Sequence, residues 1–183
     1  MAVDIPLERQ MLAAIPHLRA FAMSLTGDLD RADDLVQATL LTGIDKIHHF
    51  QPGTHMQAWL FTILRNRFRT EYRKRKREVE DPDGSFAKRA FVLPSQVAHL
   101  DFSDMQAALS KMPVEQREAL LLVAAEGLSY DEAARICRTN IGTIKSRVNR
   151  ARCRLADLLA LDQDDDIGPD CTERAAVSMH AAL

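Results

Sequence analysis

The stretch from Ser129 to Leu155, SYDEAARICRTNIGTIKSRVNRARCRL, constrains the chain most, because it holds two helix starts in close succession. Ser129 and Glu132 make a capping box: the serine oxygen takes the orphan N–H of the third helical residue, and the glutamate reaches back to the serine N–H. Cys137, Arg138 and Thr139 then interrupt the pattern, and Asn140 is a good N-cap for a second helix through Gly142 and Thr143. Two helices joined by so short a turn read as a helix-turn-helix. On the second helix Ile141, Ile144, Val148, Ala151, Leu155 and Leu158 recur every three or four residues, a stripe that packs inward. The opposite face is centred on Ser146, Asn149, Arg150 and Cys153, with Lys145 and Arg154 beside them and Arg147 and Arg152 nearer the stripe. A helix that enters a major groove needs an N-terminal half free of bulky apolar side chains and able to approach phosphate. Gly142, Thr143 and Ser146 meet that need. Charge runs are often no more than solvated helix faces, but the paired caps and the short turn favour DNA recognition here.

Global charge cannot be the argument for nucleic acid, since 24 basic residues stand against 26 acidic ones and the net charge is -2. The distribution carries it instead. Between Arg65 and Glu78 lie eight cations against only Glu71 and Glu78, whereas acid gathers at Asp162, Asp164, Asp165 and Asp166. With 183 residues, the chain has room for two small domains. Cys137, Cys153 and Cys171 share no short spacing, which argues against a disulfide framework or a Cys-x-x-Cys clip and for a reducing compartment. The histidines form no HExxH or Cys/His pattern, so neither metal nor cofactor is expected. No signal sequence precedes Asp4 and no apolar run approaches the ~18 residues of a membrane span; a cytoplasmic location is the expectation.

All the periodic segments are helical, so the expected fold is all-α. Residues 7–26 hold an apolar pattern through Leu7, Met11, Leu18, Phe21 and Leu25, bent or restarted at Pro16 and ended at Gly27. Asp28 or Asp30 caps a second helix, DRADDLVQATLLTGIDKIHHF, with Leu35, Val36, Leu40, Ile44 and Ile47 as its stripe. Its carboxylates Asp30, Asp33 and Asp34 could merely complement the helix dipole. After the loop HHFQPGTH, Thr54 and Gln57 supply a second capping box for a helix from Met56 to about Lys76, on the order of 30 Å long. That helix is apolar at first and then almost wholly basic. Trp59, Phe61 and Phe68 could stack on single-stranded bases, although aromatics at helical spacing are more often core. Residues 78–104 lose periodicity and read as a linker, Met105–Lys111 and Pro113–Glu126 as further helices with Gly127 as a stop, and residues 162–183 as an acidic tail. No phosphate loop, GxSxG or Cys-His pair marks a catalytic site.

The segments DRADDLVQATLL, FQPGTHMQAWLFTILRNRFRTEYRKRKRE and MPVEQREALLLVAAEGLSYDEAARICRTNIGTIKSRVNRARCRL, in this order, resemble an extracytoplasmic-function (group 4) sigma factor of bacterial RNA polymerase. FQPGT, MQAWLFTILRN, EYRKR, EQREALLLV and GTIKSRVNRAR resemble in particular the EcfG type, the general stress response sigma factors of alphaproteobacteria. The resemblance implies sigma region 2 over residues 7–77, a linker over 78–104, and sigma region 4 over 105–161. It implies that Asp33, Asp34 and Gln37 bind the beta-prime clamp of the polymerase core, whose beta flap is a further implied partner. His55, Asn66, Arg69, Arg73, Lys74 and Lys76 fall in the loop and helix that act on the -10 element. Asn140, Thr143, Lys145, Ser146, Arg147, Asn149, Arg150 and Arg154 fall on the reader of the -35 element; groove geometry then puts Asn149 and Arg150 at base edges and Thr143, Lys145, Arg147 and Arg154 mainly at phosphates. A small NepR-like anti-sigma factor is an implied partner, alongside promoter DNA. Two positions depart from the family pattern: Arg138, where relatives often have glycine, and His55, where close relatives tend to have asparagine. A positive φ at Arg138 would strain it by about 1 kcal/mol.

Other readings make different demands on the chain. A sigma mimic that only occupies an anti-sigma factor has no need of Lys145, Arg147, Asn149 and Arg150 on an exposed face, and its usual receiver domain would not fit beside both units. A simple helix-turn-helix repressor leaves the helix from Met56 unexplained, and an enzyme lacks a catalytic constellation.

Overall fold

The computed structural model describes residues 5–79 and 104–159, except the side chains of residues 5, 76, 78 and 79. Most of the expected 78–104 linker and the whole of the 162–183 tail lie outside the described residues. Every regular element among the described residues is helical, and the chain divides into two compact units. The first holds α1 (Ile5–Thr26), α2 (Leu29–Asp45) and α3 (Met56–Val79); the second holds α4 (104–110), α5 (Val114–Leu120), most of α6 (Tyr130–Cys137) and α7 (Ile141–Leu159).

In the first unit each helix packs on the other two. α1 runs unbroken through Pro16, and both Pro16 and Leu12, whose carbonyl loses its helical donor there, are exposed, so water can replace the missing bond. Gly27, at φ 68, ends the helix with its N–H on the Met23 carbonyl. Asp28, not Asp30, caps α2, accepting the Arg31 N–H at 3.0 Å. The core closes on Leu18, Phe21, Leu35, Leu60, Phe61 and Leu64, with the Phe21 and Phe61 rings edge to face at 4.9 Å.

Three expectations for this unit need correction. α2 stops at Asp45 and is followed by one 3-10 turn, Ile47–His49, before the buried Phe50. Its inward stripe is Ala32, Leu35, Val36, Thr39 and Gly43, not the series through Leu40 and Ile44; Ile44 is 49% exposed and Leu41 69%. A Cβ on Gly43 would stand 3.0 Å from Leu60 Cδ2 and 3.3 Å from Met11 Cε, so a methyl fits only if these two flexible side-chain ends give way by a few tenths of an ångström, and a large side chain does not fit. The Thr54 cap is replaced as well: Pro52 and Gly53 (φ 84) make a turn closed by the Thr54 N–H on the Gln51 carbonyl, and the Thr54 hydroxyl donates to the same oxygen at 2.7 Å. His55 takes the cap position, its carbonyl accepting the Trp59 N–H. Phe61 and Phe68 are buried and cannot serve as stacking platforms, while Trp59 is half-buried against Phe50, ring centroids 5.4 Å apart.

In the second unit α5 packs on α7 and passes into a π-helical turn, Leu121–Ala125, where the Glu126 N–H reaches the Leu121 carbonyl. Gly127, at φ 66, ends the segment as the sequence predicts. Glu118, just before the apolar run that starts at Ala119, is fully buried.

Candidate nucleic-acid interface

Both caps of the helix-turn-helix form. The Ser129 N–H donates to Glu132 Oε2 at 3.0 Å while the Glu132 N–H donates to Ser129 Oγ at 3.2 Å, which starts α6. The Thr143 N–H donates to Asn140 Oδ1 at 2.7 Å, which starts α7. Between them the Thr139 N–H bonds the Ala134 carbonyl and the Arg138 N–H the Arg135 carbonyl, the pair of bonds that defines a Schellman turn. Such a turn requires a left-handed residue after the helix cap, and Arg138 occupies it at φ 51. The glycine-like position is therefore filled by arginine.

Ile144, Val148 and Ala151 anchor α7 inward, whereas Ile141 is 39% exposed and Leu155 and Leu158 half-buried, so the stripe holds only at its centre. The face turned to solvent carries Asn140, Lys145, Arg150 and Arg154, all exposed, with Thr143, Ser146, Arg147 and Asn149 half-buried along its margins. Lys145 Nζ lies 5.9 Å from the centre of the Tyr130 ring, a cation–π contact that places the ammonium over the start of α6. Asn149 Oδ1 accepts from the Cys153 thiol at 3.6 Å, and the Ser146 hydroxyl donates to the Thr143 carbonyl. Tyr130 was not singled out by sequence reasoning. Only its spacing from Lys145, across the turn, could have brought it forward.

A second basic surface runs along α3. Arg67, Arg73, Lys74 and Arg77 are exposed and Asn66, Arg69 and Arg75 half-buried; the Lys76 side chain lies outside the described residues. His55 stands exposed at the start of the same helix. Asn66 and Arg67 line an open cleft of about 450 Å³ with Thr42, Lys46, Thr70 and Glu71, and the Arg67 guanidinium donates to Thr42 Oγ1 at 3.1 Å. Arg31 of α2 joins this surface, another residue the sequence reading missed. Its guanidinium is held below its ordinary pKa first by burial and then by the charge of Arg75, against the opposing pull of Asp28 and Glu71.

The third surface is the outward side of α2. Asp34, Gln37, Leu41 and Ile44, spaced by three and four, are all exposed. Asp33 is separated from them by a bidentate ion pair with Arg19 of α1, Nε to Oδ1 at 2.7 Å and Nη2 to Oδ2 at 2.6 Å. Among the described residues no group of three or more His, Cys, Asp or Glu side chains could hold a metal ion, and no helix is long and apolar enough to cross a membrane.

Comparison with known proteins places the chain in a family. Residues 12–78 match the Sigma-70 region 2 family, and residues 102–155 match Sigma-70, region 4. The ECF RNA polymerase sigma factor EcfG of Rhodopseudomonas palustris strain TIE-1 is 60% identical over 177 residues, covering 97% of this chain and 98% of that protein. The chain belongs to the extracytoplasmic-function sigma factors of RNA polymerase, EcfG type. The sigma factor is also 32% identical to ECF sigma factor SigM of Bacillus subtilis, over 80% of this chain and 90% of the relative. Its fold superimposes with a TM-score of 0.80 on the sigma factor RpoE of Bartonella quintana, solved in complex with the anti-sigma factor NepR. The two are 48% identical, and the match covers 87% of this chain and all of that one.

Proposed function

We propose that this sigma factor directs core RNA polymerase to promoters with -10 and -35 elements, those of stress-response genes, and that a NepR-like anti-sigma factor holds it inactive until it is needed. The chain supplies specificity and the polymerase supplies the chemistry, in the cytoplasm. Residues 7–77 act as region 2 and 105–161 as region 4, joined by the 78–104 linker, with 162–183 as an acidic tail. On α7, Asn149 and Arg150 meet base edges of the -35 element, Thr143, Lys145, Arg147 and Arg154 hold its backbone, and Asn140 and Ser146 belong to the same DNA-facing surface. His55, Asn66, Arg69, Arg73, Lys74 and Lys76 act on the -10 element as melted strand, where a positive helix can track a single-stranded backbone. Of Asp33, Asp34 and Gln37, which the resemblance assigns to the beta-prime clamp, Asp33 is held by Arg19, so Asp34 and Gln37 on the outward side of α2 make the direct contact; the beta flap is the polymerase's second point of attachment.

The observation that supports this reading best is that α3 and α7, in separate units with hydrophobic cores of their own, each turn a basic face outward. Two modest DNA contacts joined by a linker gain through effective concentration what neither has alone. The test is run-off transcription with purified core polymerase on templates in which either element is scrambled. Transcription should need both elements and fall when a NepR-like protein is added. Equal transcription from matched and scrambled templates would overturn the promoter assignment, and a stable ternary complex of inhibitor, sigma factor and core would overturn the mode of inhibition.

A further inference from the structure

Asp33 and Asp34 are neighbours in the chain, yet a rotation of about 100° per residue sends their carboxylates to different sides of α2. Asp34 lies among the exposed Gln37, Leu41 and Ile44. Asp33 turns toward α1, where both its oxygens accept from the Arg19 fork at 2.7 and 2.6 Å. Paired charge-assisted bonds of this length, fork to fork, are the strongest geometry open to a carboxylate and an arginine, and the hydrogen bond and charge of Asp33 in turn raise the guanidinium pKa of Arg19 above its ordinary value. The pair sits at the surface, with Arg19 54% and Asp33 34% exposed, so its field reaches anything docked on α2 within the ~10 Å over which charges interact at moderate salt.

We propose that Arg19 masks Asp33, so that the polymerase-facing side of α2 presents the carboxylate of Asp34 without that of Asp33, and that Arg19 is thereby a positioning residue of this interface. The inference rests on the reading of α2 as the face that meets the polymerase. A partner recruiting Asp33 would have to break two short bonds and would then stand beside the released Arg19. The exposed side is acidic at Asp30 and Asp34 and becomes apolar at Leu41 and Ile44, about 10 Å further along the helix, which matches a partner helix cationic at one end and apolar at the other. Toward such a partner the Arg19–Asp33 pair is close to neutral, and removing either member changes the charge of the face by one, in opposite directions.

The opposite signs make the test. Labelled full-length protein is titrated with purified core polymerase at low and at high salt, with a thermal unfolding curve for each variant. Arg19→Gln, which uncovers Asp33, should bind about two- to five-fold more tightly at low salt; Asp33→Asn, which uncovers Arg19, should bind weaker by a similar factor; the double variant should return to the parent value, and the differences should shrink as salt is raised. Asp34→Arg should lose at least about ten-fold in every background. If Asp33→Asn does not fold, the exchanged pair Arg19→Asp with Asp33→Arg keeps both bonds and should bind within about two-fold of the parent. A loss at Asp33→Asn that persists in the double variant, or an exchanged pair as weak as Asp34→Arg, would mean that Asp33 touches the polymerase itself and would overturn the proposal. Single variants indistinguishable from the parent would overturn it too, since nothing is then masked. An Asp34→Arg variant that binds normally would instead remove the polymerase-face reading on which the proposal stands.

Discussion

At the scale of single residues, Arg138 shows a local rule broken where the chain can tolerate it. The Schellman turn between α6 and α7 needs φ near +50°, and a Cβ in that region costs about 1 kcal/mol that glycine does not incur. Arg138→Gly should therefore stabilise the helix-turn-helix by up to about 0.6 kcal/mol, after the greater unfolded-chain freedom of glycine is allowed for, read as a higher thermal midpoint. A lower midpoint would show that the arginine side chain contributes more than the strain removes. Arg150 and Lys145, both exposed on α7, should separate by kind of contact. Arg150→Ala should cost about 1–3 kcal/mol on the matched -35 sequence and far less on a scrambled one, while Lys145→Ala should weaken both alike and reduce the salt slope by about one. Equilibrium titrations on the two duplexes across a salt series decide it; an equal loss on both duplexes for Arg150→Ala refutes base reading. The caps at Ser129 and Asn140 were legible in the sequence because each is a hydrogen bond between residues three apart. The Arg19–Asp33 pair was not, since its partners lie on different helices and only packing brings them together.

Among the elements, α2 is where reading by periodicity went astray. Large apolar residues mark an inward stripe only when the neighbouring helix stands at the usual 8–10 Å. Where α2 meets Leu60 and Met11 the space admits no large side chain, so Gly43 and Thr39 face the core and Leu41 and Ile44 turn out. Their outward position leaves apolar surface for a partner. Gly43→Leu should destabilise the first unit by about 1–3 kcal/mol through overpacking, whereas Gly43→Ala should be nearly neutral. There the gain in helix propensity, about 1 kcal/mol, offsets a squeeze against two flexible side-chain ends. Chemical denaturation of both variants checks the contrast; equal effects would mean that the close approach is not what selects glycine. The start of α3 misled for a related reason. The Pro52–Gly53 turn draws the Thr54 hydroxyl back to Gln51, a competition that a capping-box pattern taken alone does not show.

For the whole molecule, the order of segments made the two-unit, all-helical organisation legible, because each unit is built from consecutive helices with their own stop and start signals. The partner-facing use of those units was legible only through resemblance, since exposed charge and exposed leucine do not by themselves say what they meet. Cutting the chain at a protease site inserted within residues 78–104 of the intact protein should lower affinity for promoter DNA bound with core polymerase by about 10²–10⁴. The comparison is one sample before and after cleavage; unchanged affinity would mean that one unit carries the binding alone. The short connections of the first unit have a further result during synthesis. α1, α2 and α3 need no residue beyond Val79 to close their mutual contacts, and at about 5–20 residues per second α7 is completed roughly 4–16 s later. A ribosome-bound chain stalled after Val79 has cleared the ribosome, and before α7 is made, should already protect a folded fragment from protease. In that interval the nascent protein displays Asp34, Gln37, Leu41 and Ile44 before it has any helix with which to read the -35 element, so whatever grips α2 can claim the chain while it is still being made.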